Sequence, residues 1–104
     1  MNLGIPFDEI AHDAMDGKRV TVFCDNATQA KWVQDDVLRS MKQMDVHKVV
    51  ANSRNRSIRV GDGVVHFLLL SGYDGRGLDA DVVYLSVSAR KQYEYASIVQ
   101  AEVR

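Results

Sequence analysis

The chain has 104 residues, 46% of them hydrophobic and 26% charged, and a formal net charge of −1. That length holds one domain with a real core and is too short for two, so residues 1–104 are read as a single α/β domain. The composition excludes a disordered polymer. The near-neutral charge argues against a dedicated duplex-DNA binder, which would carry a basic excess, while leaving room for a local basic patch. The apolar runs fall far short of the roughly 20 residues of a membrane helix, and no basic-then-apolar leader opens the chain, so no membrane partner is expected. The single cysteine, Cys24, rules out an internal disulfide and favours a cytoplasmic setting. It sits in an apolar run with no histidine close in sequence, which reads as a core thiol and not a nucleophile.

In chain order, Pro6–Met15 has Phe7, Ile10, Ala11, Ala14 and Met15 at helical spacing. Pro6 suits a first turn, and Asp8 and Glu9 suit the positive end of the helix dipole. Gly17 is a natural stop. Lys18–Cys24 (KRVTVFC) then reads as a strand. Val20, Val22 and Cys24 alternate with Thr21 and Phe23, so both faces are largely apolar and the strand is expected to be central. Asp25, Asn26 or Thr28 can cap the helix that follows, predicted over Ala27–Met41. Its stripe is Ala30, Val33, Val37 and Met41, broadened by Trp32 and Leu38. Val46–Ala51 reads as another strand.

Asn52–Arg59 (NSRNRSIR) carries the one dense basic cluster, Arg54, Arg56 and Arg59. Its bland reading is a solvated loop and an edge strand guarded by charge. Its sharper reading is a contact for phosphate or an acidic partner. Ser57–Val60, Gly61-Asp62-Gly63 and Val64–Leu70 form a hairpin signal, because glycine and aspartate tolerate positive φ in a tight turn. His66, inside the second strand, reads as a structural histidine, since no metal-ligand spacing links it to His12 or His47. Ser88–Arg104, with Ala89, Tyr93, Ala96 and Val99 or Gln100 at helical spacing, reads as a last helix, whose Tyr93 and Tyr95 pack it on the sheet or, alternatively, stack on bases.

The stretch Phe67–Val87 (FLLLSGYDGRGLDADVVYLSV) combines two apolar runs, Val64–Leu70 and Val82–Val87, with the polar segment Ser71–Asp81. Two buried strands around a polar loop are the usual parts of a ligand edge in an α/β sheet. Arg76 stands in that loop with Asp74, Gly75, Gly77, Asp79 and Asp81. The three aspartates could hold a hard cation, or serve as ordinary polar residues before a buried strand, with Asp79 pairing Arg76. No nucleophile with a base beside it, no metal-ligand pattern and no dinucleotide fingerprint is present.

These motifs resemble two families. LLLSGYDGRGLDADVVYLS resembles the motif near the end of the second RecA-like domain of superfamily 2 helicases, where a short loop carries Arg-Gly-(Leu/Ile)-Asp. KRVTVFCDNATQAKWVQDDVL resembles the strand and helix that open that domain, although the later arginine-rich motif is absent. A longer span, about Lys18–Ser86, resembles the ATPase domain of phage terminase large subunits, through VTVFCDNATQAKW, SIRVGDGVVHFLLL and GRGLDADVVYLS. The departures are as informative. A Gly-x-x-x-x-Gly-Lys-Ser/Thr phosphate loop (Walker A) is missing. The strand at the Walker B position ends in Ser86-Val87 where the family carries the acids that hold magnesium.

The resemblance implies a small three-layer, RecA-like α/β sandwich: a mostly parallel sheet of four to five strands, one β-hairpin and about three helices. It further implies a stripped, non-hydrolysing relative without cofactor, viral in origin and active in the host cytoplasm, linked to DNA packaging or processing. Such a domain would bind a protein partner or nucleic acid through Arg54, Arg56, Arg59 and Arg76, and an uncovered sheet edge would permit a homo-oligomer. The alternative is a nucleotide-binding or hydrolytic enzyme that uses the loop at 71–81.

Overall fold

The computed structural model describes residues 7–41, 45–52, 56–69, 80–85 and 102–103. The elements are α1 (Phe7–Met15), β1 (Arg19–Cys24), α2 (Ala27–Arg39), β2 (Val46–Ala51), β3 (Arg56–Val60), β4 (Gly63–Leu69), β5 (Val82–Leu85) and the two-residue β6 (Glu102–Val103). The sheet order is β2-β3-β4-β1-β5-β6. β1 pairs in parallel with β4 and β5, and β5 with β6. β2, β3 and β4 form an antiparallel meander.

Each element follows from local chemistry. The first helix ends where Gly17 takes φ +90. There the Gly17 N–H donates to Ala14 O at 3.0 Å and the Lys18 N–H to Asp13 O at 3.2 Å, the two bonds of a Schellman motif. Of the three possible caps for α2, Asn26 is the one used: its side chain accepts from the Gln29 N–H at 2.8 Å. Gln29 reaches back to accept from the Asp25 N–H at 2.7 Å, so donors at the helix start are satisfied from both directions. β1 has both neighbours in the sheet, and Val20 to Cys24 are all buried. The central, two-faced strand expected from KRVTVFC is present.

The main core cluster lies on one face of the sheet, while Thr21, Phe23 and Val83 are buried on the other. Val20, Val22 and Cys24 share the cluster's face with Val65, Phe67, Ile58, Val60, Val82 and Tyr84 by strand register. α1 covers this face with Ile10, Ala11 and Ala14, and α2 with Ala30, Val33 and Val37. The two helices pack on each other and on β1, β3 and β4.

The expected architecture is corrected by this arrangement. The sheet is mixed, with five strands and the short β6, and the antiparallel meander occupies one half of it. The described residues hold two helices, both on one face, in place of about three in a three-layer, mostly parallel RecA-like sandwich. Most of the helix expected at Ser88–Arg104 lies outside the described residues, but Glu102 and Val103 belong to a strand. A second hairpin, β2–β3, also goes beyond the single one expected. Trp32 leaves its stripe: it is 44% exposed, because it follows Ala30 by about 200° around the helix.

Candidate functional site

The structure divides the basic cluster between two faces. Arg54 and the loop residues Asp74, Gly75, Arg76, Gly77 and Asp79 lie outside the described residues. Arg56 stands opposite Phe67 in the helix-covered register, and its guanidinium donates to Gln34 Oε1 at 3.1 Å. Gln34 is 1% exposed. Its amide donates to Val50 O at 2.9 Å and to Ser57 O at 3.2 Å, so α2 is tied to both strands of the β2–β3 hairpin. Arg56 completes that clamp, and its place is structural.

Arg59 turns to the other face, opposite Val64 on one side and Lys48 on the other. Arg59 and Lys48 are both exposed. Two cations directly opposite in an antiparallel pair repel each other and destabilise the sheet. Among the described residues no carboxylate lies within ion-pair distance of either. The exposed His66 of β4 faces Ser57 on the same side, since Ser57 and His66 are directly opposite. Burial, and then the charge of Arg59, hold His66 below the ordinary histidine range. The sign follows: the unfolded chain takes the proton more readily, so this group's contribution is whole above about pH 6.5 and is lost as pH falls through the lower folded value. Near neutral pH His66 is therefore a neutral donor and acceptor on the face that carries Arg59.

The described residues on either side of the loop that the sequence favours stand at opposite ends of β1. Leu69 pairs with Cys24 at the carboxyl end of β1, whereas the Asp81 N–H donates to Arg19 O at 2.8 Å at the amino end. Asp81 accepts from the Arg19 N–H at 2.9 Å, from Arg19 Nη2 at 3.1 Å and from Arg19 Nε at 3.4 Å. The Arg19 side-chain and backbone hydrogen bonds hold its carboxyl below the usual carboxylate range. The stability it lends is present above the ordinary aspartate pKa and is lost as pH falls through the depressed one. Asp81 therefore fixes the entry to β5, at the opposite end of the sheet from the carboxyl ends, where α/β ligands bind.

Among the described residues no other chemistry assembles. Burial, and then Asp25, push the Cys24 thiol up to about 12, so it holds no thiolate for attack near neutral pH. Asp13 is buried at the end of α1, accepting from the Tyr84 hydroxyl and facing Lys18 Nζ at 3.5 Å. Both partners bind α1 to the sheet. Among the described residues no group of three or more histidine, cysteine or acidic residues could hold a metal ion, and no helix is long and apolar enough to cross a membrane.

Lys48 is the member of the site that the sequence reading missed. Its signal was available: Asn52, Ser53 and Asn55 are of residue types that favour turns and lie between two strand-like runs of sequence, and pairing those strands sets Lys48 against Arg59. No family model, no curated protein and no solved structure matches the chain.

Proposed function

We propose that the chain is a non-catalytic binding domain whose contact surface is the exposed face of the meander around Lys48 and Arg59, and that its partner is acidic. One observation carries this reading. Two cations stand directly opposite each other with no carboxylate among the described residues to relieve them, a local cost that an anionic partner would turn into attraction. Arg54 and Arg76 stay in the proposal as further basic contacts on sequence grounds. A cytoplasmic setting is proposed on the lone cysteine. Descent from a terminase- or helicase-type ATPase is a proposal on the motif order of Lys18–Ser86, and the binding reading does not rest on it.

The test is a titration with polyglutamate and with duplex DNA at two salt concentrations. We expect polyanion binding that weakens as salt rises. A Lys48→Ala/Arg59→Ala variant should bind about tenfold more weakly or worse, the loss of one to two charge-assisted contacts, with its melting temperature unchanged or slightly raised. An unchanged affinity in this variant, or no binding by the native chain, overturns the reading.

The rival, a nucleotide-using enzyme at 71–81, is separated by melting with and without Mg-ATP. A ligand at about 100 times its dissociation constant adds about 2.7 kcal/mol. We expect no shift; a clear rise in melting temperature would favour the enzyme.

A further inference from the structure

We infer that β2 is a docking edge, and that its occupant is an extended segment of another protein that adds to the sheet as a further strand. This rests on the acidic-partner reading and specifies the partner's conformation and side-chain pattern.

β2 ends the sheet. A terminal strand presents outward-facing N–H and C=O groups at alternate residues, and an incoming strand can pair with them. The surface around this edge is open: His47, Lys48, Val49 and Ala51 are exposed. It is also held firmly, because Gln34 of α2 bonds to Val50 O. A strand that is already ordered loses little entropy when a partner docks.

The two faces of the edge differ in chemistry. On the helix-bearing side Val49 is 41% exposed, although Ile58, directly opposite it on β3, is fully buried. Apolar surface therefore runs outward from the core past the last strand. On the other side stand Lys48 and Arg59. A strand laid along β2 meets both faces with period two. The side chains that fit are apolar residues beside Val49, alternating with carboxylates beside Lys48 and Arg59. The register shift between Val46 and Lys48 makes the start of β2 irregular and leaves Lys48–Ala51 as the regular part of the edge.

A second copy fits less well. Two β2 strands paired about a two-fold axis near Val49 would bring two Lys48–Arg59 pairs together on one face, and such like-charge contacts are what keep edge strands apart. Nucleic acid would satisfy the cations but offers neither a strand backbone nor an apolar side chain for Val49.

The experiment compares three probes on the full chain: a short peptide of alternating Glu and Val, the same peptide with its backbone nitrogens methylated, and duplex DNA. Methylation keeps every charge and side chain and removes the ladder donors. We expect the unmethylated peptide to bind at least about tenfold more tightly than the methylated one. We also expect it to slow hydrogen exchange of amides in Val46–Ala51. Equal affinity for the two peptides, with both weakened by Lys48→Ala/Arg59→Ala, would overturn strand addition and leave the charge reading standing. A methylation-sensitive peptide indifferent to that variant would keep the edge and remove the acidic-partner reading. Failure of the peptide to bind, or tighter DNA binding without protection of β2, overturns the inference.

Discussion

Replacing Gly63 by alanine is expected to lower the stability of the domain by about 3 kcal/mol or more, a fall in melting temperature of roughly 12–24 °C. A Cβ at this position would lie 1.9 Å from Ala14 O, 2.7 Å from Ala14 C and 3.0 Å from Lys18 O. These atoms are backbone and cannot swing aside as a side chain could. They also belong to the motif that ends α1, where the Gly17 and Lys18 N–H groups donate to Ala14 O and Asp13 O, and where the Val64 N–H donates to Lys18 O at 3.2 Å. Making room for one methyl group means moving the end of α1, the start of β1 or the start of β4.

The neighbouring glycine gives the control. Gly61 has φ +55 and open space around its missing side chain. Gly61→Ala meets backbone strain alone, about 1 kcal/mol, and Gly61→Asn less, because asparagine visits that region more readily. Thermal melts of the three variants check the contrast. Similar losses for Gly61→Ala and Gly63→Ala would show that both residues act through the turn and that the close approach to α1 is unimportant.

That contrast marks how much was legible in the sequence. Gly-Asp-Gly identified the β3–β4 hairpin correctly, and the positive φ at Gly61 is what such a turn requires. The role of Gly63 depends on α1, nearly fifty residues away in sequence, so no local rule reveals it. The same division runs through the fold. The apolar run of β1 and the stop at Gly17 depend on neighbours within a few residues, and both were readable, while the cap before α2 was narrowed to Asp25, Asn26 or Thr28. Sheet direction was not readable: the parallel β1–β4 and β1–β5 pairs leave the antiparallel meander to be decided by its turns. In sequence Arg54, Arg56 and Arg59 form one patch. Strand alternation separates them, since Arg56 and Arg59 are three residues apart and must face opposite ways. Given the strand, that separation follows from the sequence; the arrival of Lys48 opposite Arg59 needed the register.

Tyr84→Phe is expected to cost about 2–3 kcal/mol. The hydroxyl of Tyr84, 1% exposed, donates to Asp13 Oδ2, and Asp13 is 3% exposed. A buried carboxylate that loses a donor keeps its desolvation penalty, whereas a neutral pair would lose only a modest net bond. Lys18 Nζ, on the other carboxylate oxygen at 3.5 Å, is longer and partly solvated, so it offsets little of the loss. The phenyl ring that remains fills the same volume in the core, so no cavity contributes and the change isolates the hydrogen bond. Urea denaturation of Tyr84→Phe in the native background and in an Asp13→Ala background makes the measurement a double-mutant cycle. With the carboxylate gone, the same substitution should cost less than about 1 kcal/mol, because the charge-assisted bond to Asp13 is then already lost. Equal costs in the two backgrounds would place the effect of Tyr84 in its packing against Val22 and its neighbours, and would remove the Asp13–Tyr84 bond as the tie between α1 and β5.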